Sequence, residues 1–387
     1  PASTGPMAEP WLADGVVRYV GEPIALVITR RHYQLADAAE LIDIDYEPLD
    51  VVIDLDEAVA GTTLLFPDAG TNIGQSHGSE LDESLFRDCE VVVSQRFVNQ
   101  RVAPVPLEVR SAACAWGEDG RLTMWLSTQN AQLGRAALAK GLGVDAQLVR
   151  VITPDVGGGF GAKVGAPSEA IVLGRAAKLV GTPLKWTETR SENLTAMTHG
   201  RAQEHAMTIG GRRDGTVLAY HLDVVQDAGA YVRAASFLAT LTELMACGVY
   251  RIPTVSAASR SVVTNTTPIG AYRGAGRPEA TAAIERAMDM FAAEIGMDPA
   301  EVRRINFIRP EEFPYKTPTG ASYDTGEYAA ALDRVLDHAG YQDLRAEQAR
   351  RQAAGDVVAL GLGIASYVEI TSGDGGGESG RVEINPD

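Results

Sequence analysis

Residues 148–181 read LVRVITPDVGGGFGAKVGAPSEAIVLGRAAKLVG. The β-branched opening predicts a strand, the run Gly157, Gly158, Gly159, Phe160, Gly161 predicts a tight loop, and the pattern from about Pro167 predicts a helix. Glycines let backbone amides approach an anion, and a helix amino terminus adds a favourable dipole. A phosphate or pyrophosphate is the natural guest of such a loop; a tight turn that holds no ligand is the plain alternative. Two nucleotide signatures fit poorly. A P-loop needs Gly-Lys followed by Ser or Thr, whereas Ala162 separates Gly161 from Lys163 and Val164 follows. A dinucleotide fingerprint can be laid over Gly157, Gly159 and Ala162, but Glu188 and Asp214 do not clearly close a second strand.

A second glycine-bearing loop, TTPIGAYRGAGRPEA at 266–280, precedes a long helical pattern over 279–295. Pro278 and Glu279 suit a first helical turn. Arg273 either serves only this capping region or presents its planar fork of donors to an anionic ligand. In WLSTQNAQLGRAALAKGLG (125–143) a strand runs into a helix predicted over 131–142. Gln129 stands at that junction, either as part of the helix start or as an amide donor to a bound oxo group. The six histidines show no HxxH or HExxH spacing, so a zinc or di-iron site is not expected. No GxSxG elbow or cysteine nucleophile motif appears, which leaves standard hydrolase chemistry without a foothold.

Further out, strands such as CEVVVSQRFV (89–98) and RLTMWLST (121–128) mix irregularly with helices, which favours an α+β fold over a doubly wound sheet. VVRYVGEPIALVITR (16–30) reads as strand broken by a Gly-Glu-Pro turn, the segment Tyr33 to Ile42 as helix and IDIDYEPL (42–49) as strand, together a small α+β unit. Residues 52–85 carry little periodicity and read as a linker or a long crossing segment, and a domain boundary is expected at 57/58. No internal repeat is visible, and SGDGGGESG (372–380) is the one low-complexity tract. The abrupt start and the Asn-Pro-Asp turn signal that closes VEINPD (382–387) suggest a piece of something longer.

The 34 Lys plus Arg against 51 Asp plus Glu give a net charge of −17, which argues against a nucleic-acid footprint. Cys89, Cys114 and Cys247 are too scattered for a CxxC unit and are expected as buried thiols in a reducing, cytoplasmic compartment. No stretch approaches the roughly 18 apolar residues of a membrane span, and PASTGPMAEPWLADG (1–15) lacks the pattern of a signal peptide.

Seven segments in order carry a resemblance: YVGEPIALV (19–27), STQNAQ (127–132), DVGGGFGAK (155–163), PLKWTETRSENL (183–194), AYRGAGRPEA (271–280), DPAEVRRINFI (298–308) and FPYKTPTGASYDTGEY (313–328). Together they resemble the molybdopterin-binding large subunit of molybdenum hydroxylases, the family of xanthine dehydrogenase, aldehyde oxidase and aerobic carbon monoxide dehydrogenase. The resemblance implies part of a small α/β hammerhead-like domain over 1–57 and the first half of a molybdopterin-binding α+β domain over 58–387. It implies that Gln129 hydrogen-bonds an oxo ligand of molybdenum, that Gly158, Gly159, Phe160 and Gly161 lie against the pterin, and that Arg273 contacts the cofactor beside the substrate pocket. Pocket walls would come from Val164, Leu241, Gly274 and Ala275, and no residue here would bind the metal directly.

Departures from the family pattern narrow the chemistry. Copper-containing carbon monoxide dehydrogenases have a cysteine directly after the arginine, where Gly274 stands; without a thiolate no copper bridge forms. Xanthine-oxidising members place a glutamate and an arginine where this chain has Val164 and Leu241, so an aldehyde or another aromatic heterocycle fits better than a purine. The family's general-base glutamate belongs to a later segment, so no catalytic residue is expected in this chain, and the remaining half is expected as a continuation or a separate polypeptide. The resemblance further implies a cytosine dinucleotide form of the cofactor, an iron-sulfur small subunit with 2Fe-2S clusters, an FAD-binding medium subunit, and a dimer of heterotrimers. A cofactor-free scaffold or interaction module is the competing expectation.

Overall fold

The computed structural model describes residues 5–370 together with Gly380 and Val382. Apart from those two residues, the glycine-rich tract at 372–380 and the closing turn signal at 382–387 lie outside the described residues. In chain order the strands are β1 (Ile73–Gly78), β2 (Val91–Asn99), β3 (Ser111–Trp116), β4 (Leu122–Leu126), β5 (Val149–Ile152), β6 (Leu184–Thr187), β7 (Gln203–Gly211), β8 (Val217–Gly229), β9 (Thr254–Val263), β10 (Tyr315–Lys316) and β11 (Ser322–Tyr323). The helices are α1 (Leu35–Ala39), α2 (Leu55–Ala60), α3 (Ala131–Leu142), α4 (Ser168–Val180), α5 (Arg190–Ala196), α6 (Leu238–Leu244), α7 (Arg277–Ile295), α8 (Pro299–Asn306), α9 (Tyr328–Ala339) and α10 (Tyr341–Ala354). This is the expected α+β mixture.

Two sheets organise it. The larger runs β1-β9-β8-β7-β2, antiparallel except where β8 lies parallel to β9. Its central strand β8 is buried along most of its length, and Met207, Ile209, Leu222, Val224, Ile284, Met288 and Phe291 pack the space between sheet and α7. The smaller sheet runs β5-β4-β3-β6, and its core of Leu122, Met124, Leu126, Leu138, Ile171 and Leu173 joins β4 to α3 and α4. Asn130 caps α3 by accepting from Leu133 N at 2.9 Å, and Gly143 closes it in the left-handed region. Because β4 and β5 are parallel neighbours joined through α3, the chain leaves both strands at the same edge. Residues 127–130 and the Gly-rich loop therefore begin side by side, in the position where open sheets commonly place ligands.

The amino-terminal expectation is only partly met. Among the described residues neither 16–30 nor 42–49 enters a strand ladder, and the helix expected within 33–42 is shortened to α1. β-Branched residues favour an extended backbone, but a strand exists only when a neighbouring backbone pairs with it, and that is not a local property. The Gly-Glu-Pro turn does form, with Glu22 N donating to Tyr19 O at 3.3 Å. Asn265 fastens this segment to the body: Nδ2 donates to Arg18 O at 2.8 Å and Oδ1 accepts from Val52 N at 2.9 Å.

Of the two readings of residues 52–85, the free linker is excluded. They contain α2 and β1, and Val52, Leu55 and Ala58 pack on Val262 of β9. Their order hangs on a buried asparagine, Asn72, which donates to Ala58 O and Thr63 O and accepts from Leu65 N. A single polar rivet leaves no period in sequence. Position 57/58 falls inside α2.

Cys114 and Cys247 are buried thiols and Cys89 is half-buried; all three are free. His205 on β7 is fully buried, with Nε2 donating to Gln203 Oε1 at 2.8 Å and its ring edge-on to Phe97. Its Nδ1 has no partner, so a second ring proton would have nowhere to bond. Burial lowers its pKa from 6.5 to about 4. Between those two values the unfolded chain binds the proton and the native chain does not, so stability falls as pH drops through that window and levels off below it. We expect a loss of about 3 kcal/mol at 1.36 kcal/mol per pH unit. In thermal unfolding from neutral to acid pH, His205→Gln should flatten this part of the curve; parallel curves for variant and wild type would refute the cause.

Candidate cofactor site

Gln129 lies where the chain leaves β4, and its position is set from both sides. Its backbone N donates to Lys163 O at 2.9 Å, while its Oε1 accepts from Gly161 N at 2.8 Å and Lys163 N at 3.2 Å. Two backbone N–H groups can be met only by the carboxamide oxygen, so the NH2 end is the one left free. Among the described residues Nε2 donates to nothing, and Gln129 is exposed.

Gly159 is buried beneath this side chain. A Cβ placed on it would come within 2.6 Å of Gln129 Cγ and Cδ, closer than non-bonded carbons approach. The amides of Gly158, Gly159 and Phe160 find no acceptor among the described residues, although neighbouring Gly157 N and Gly161 N are both engaged. Phe160, at φ 56°, sends its carbonyl to Arg273 N at 2.8 Å, and the Arg273 guanidinium stands 4.8 Å over its ring. No carboxylate pairs with Arg273 among the described residues. Free amides, a carboxamide NH2 and an unpaired guanidinium thus gather around one loop, a donor set suited to an anionic, acceptor-rich guest. That set fits a pterin pyrophosphate.

The loop is braced by groups the sequence did not single out. Buried Lys163 donates to Glu108 O at 2.7 Å and Glu108 Oε2 at 2.9 Å. Ser127 Oγ and Gly157 N donate to the same carboxylate, each at 2.8 Å. Burial opposes the charge on Glu108, but these donors outweigh it and hold the carboxyl below its usual range. Arg201, at φ 63°, clamps the second loop from behind: it donates to Tyr272 O and Arg273 O, stacks on Tyr272, and pairs at 3.1 Å with buried Glu279 of α7. These contacts join residues distant in sequence and follow no period. The lone charge of Lys163 within a glycine run was the one visible signal.

The four pocket residues fall in two places. Val164 lines a cavity of about 400 Å³ behind the loop, together with Leu238 and Ile269. Leu241 and Ala275 pack against that same Leu238 and Ile269 in a small apolar cluster. Gly274 stands apart: at φ 105° a Cβ would meet the Pro278 ring at the start of α7, so the turn leaves no room for a side chain as it stands. No cluster of metal-ligating side chains occurs among the described residues, and no described helix is long and apolar enough to cross a membrane.

With this geometry, comparisons with known proteins agree. The molybdopterin cofactor-binding domain family matches residues 65–307. The 6-hydroxypseudooxynicotine dehydrogenase complex subunit gamma of Paenarthrobacter nicotinovorans is 34% identical over 98% of this chain and 48% of its own length. The carbon monoxide dehydrogenase large chain of Afipia carboxidovorans is 35% identical over 96% of this chain and 49% of its own. Quinoline 2-oxidoreductase from Pseudomonas putida 86 superposes with a TM-score of 0.85 at 31% identity, covering 90% of this chain and 45% of that one. The chain therefore spans about half the length of the relatives it matches. Fold, loop chemistry and likeness converge: this chain belongs to the molybdopterin-binding large-subunit family of molybdenum hydroxylases, with relatives among carbon monoxide and xanthine dehydrogenases.

Proposed function

We propose that this chain forms one side of the cofactor cradle in a molybdenum hydroxylase that oxidatively hydroxylates an aromatic heterocycle or an aldehyde, with water as the oxygen source. The observation that carries this is the fixed orientation of Gln129, whose oxygen is held by two loop amides while its NH2 faces outward. When bound, the molybdenum cofactor supplies the two-electron oxidation and activates water toward an electrophilic carbon. Gln129 Nε2 would donate to an oxo group of the cofactor, and the amides of Gly158, Gly159 and Phe160 to its other acceptors. Arg273 would lie against its negative charge. Phe160 and the loop backbone would exclude water from that face.

The substrate class follows from the walls. Val164 and Leu241 offer a purine no polar anchor, and Gly274 offers copper no thiolate. Relatives named for quinoline oxidation and nicotine 6-hydroxylation support the heterocycle branch. Electrons would leave through 2Fe-2S and FAD partner subunits, because the described cysteines are scattered and the loops lack a flavin motif. In the same reading the cofactor is the cytosine dinucleotide form and the assembly a dimer of heterotrimers. Residues 1–57 are then part of the hammerhead-like domain and 58–387 the first half of the cofactor domain, α2 spanning the division.

The test is the intact enzyme purified with its partner chains. We expect stoichiometric molybdenum and pterin, and a product carrying ¹⁸O when heterocycle turnover runs in labelled water. Gln129→Ala should lower kcat by roughly 10-fold or more through loss of one charge-facing hydrogen bond. A complex without metal or pterin, from cells that load other molybdenum enzymes, would reject the hydroxylase and favour a scaffold.

A further inference from the structure

The larger sheet carries on its outer face a separate cleft of about 400 Å³ that shares no residue with the cofactor cradle. Side chains two apart on a strand share a face, and the strand register sets them in rows. Ser94, Thr208, His221 and Ser256 form one row across β2, β7, β8 and β9, and Arg96, Ala206, Asp223 and Ala258 form the next. β1 and β2 lie at opposite edges of this sheet, so the chain between them has to cross it, and Leu81 of that crossing segment lines the cleft.

Two polar atoms of the lining residues are buried and have no partner among the described residues: His221 Nε2 and Asp223 Oδ1. Each belongs to a group whose other polar atom is engaged. His221 is 2% exposed and its Nδ1 lies 2.5 Å from Ser256 Oγ, while Arg260 Nη2 donates to Asp223 Oδ2 at 2.7 Å. Burial, the largest influence, holds the imidazole below its usual range although Asp223 pulls the other way, so at neutral pH the ring carries one proton. On Nε2 that proton would have the free Asp223 oxygen to bond, and no such bond forms. The proton is therefore assigned to Nδ1, where Ser256 accepts it, and Nε2 becomes an acceptor. Two buried acceptors on one face cannot satisfy each other, and a donor from outside relieves both.

The surrounding charge sets the sign of the guest. Arg96 is matched by Asp56 and Glu204, and Arg260 by Asp223. Glu80 and Glu83, beside Leu81 on the crossing segment, have no cationic partner among the described residues, so the local balance is negative. A bare metal ion asks for more ligands than this pair, and no group of three metal-ligating side chains occurs among the described residues. An ammonium needs only acceptors. Its N–H groups match Nε2, Oδ1 and the hydroxyl pair of Ser94 and Thr208, which stand 2.9 Å apart and keep lone pairs to spare.

We propose that this cleft binds a small primary ammonium ion on a short apolar chain, its nitrogen meeting His221 Nε2 and Asp223 Oδ1 while the chain lies along Leu81 and Ala206. The exposed Leu81 side chain can yield to admit it. The proposal goes beyond the hydroxylase reading and does not depend on it, because no cradle residue lines the cleft.

The test is calorimetric titration of the intact enzyme at neutral pH with n-butylammonium, with neutral 1-butanol, and with n-butyltrimethylammonium, which keeps the charge and loses the N–H donors. We expect n-butylammonium to bind about 10-fold tighter than either of the others. Asp223→Asn removes the charge and His221→Phe removes the ring nitrogens, and each should weaken n-butylammonium by about 10-fold while leaving 1-butanol unchanged. Leu81→Arg changes an exposed side chain, so folding is not at stake, and should abolish binding by setting a cation in the cleft. Circular dichroism of each variant checks the fold. Equal affinity for the three probes, no binding of n-butylammonium, or an affinity that survives Leu81→Arg or both buried-site variants would each overturn the proposal. Molybdenum and pterin content of the same sample judges the hydroxylase reading separately: a loaded enzyme that ignores n-butylammonium sinks only the ammonium site, and selective binding without cofactor sinks only the hydroxylase.

Discussion

Gly159→Ala is expected to strip the cofactor while leaving the fold in place. The backbone at Gly159 lies outside the left-handed region, so alanine meets no conformational barrier; its methyl group meets Gln129 instead, 2.6 Å from Cγ and Cδ. Gln129 is the movable partner. Rotating it away breaks the bonds from Gly161 N and Lys163 N to Oε1 and turns its NH2 from the cradle. At about 1 kcal/mol for each hydrogen bond lost to solvent, stability should fall by at most about 2 kcal/mol. Cofactor retention should fall much further, by about 100-fold, because the same methyl displaces one donor and crowds the free amides of Gly158 to Phe160. Metal and pterin analysis beside circular dichroism would check both halves. Full loading of a folded Gly159→Ala enzyme would show that Gln129 does not form the cradle.

Much of that cradle was legible in sequence, and the reason is local. A strand, a run of glycines and a helix are features of neighbouring residues, so α3, α4, α7 and the loops holding Gln129, Phe160 and Arg273 fall where the pattern places them. What braces them was not legible. Lys163 reaches back to Glu108, and Arg201 reaches forward to Tyr272, Arg273 and Glu279, contacts across tens of residues that leave no period. The same limit explains the amino-terminal error. Residues 16–30 have the composition of a strand, but a ladder depends on pairing with another backbone, and among the described residues they enter none. Residues 52–85 fail in the opposite sense, since Asn72 orders by hydrogen bonds a stretch with no apolar rhythm.

Arg303→Ala should destabilise the fold more than Gly159→Ala does. The segment DPAEVRRINFI marked the family resemblance without suggesting a role, and the structure supplies one: Arg303 is fully buried and uses every donor nitrogen. Nε meets Glu285 Oε2 at 2.8 Å, Nη1 meets Asp289 Oδ1 at 2.7 Å and Pro299 O at 3.1 Å, and Nη2 meets Glu285 O at 3.1 Å and Ile364 O at 2.9 Å. Glu285 also accepts from Tyr250 Oη and from Ser366 N. One guanidinium therefore ties α7, α8, and the 364–366 segment together inside the main core. Removing it leaves Glu285 buried without its cation, and such one-sided losses cost about 3–5 kcal/mol. Replacing both partners costs less, because no orphaned charge remains; Glu285→Gln/Arg303→Met should recover part of the loss. Thermal midpoints and limited proteolysis of the intact protein would decide it. If the double variant proves no more stable than Arg303→Ala, volume and backbone hydrogen bonds hold this junction, and the ion pair does not.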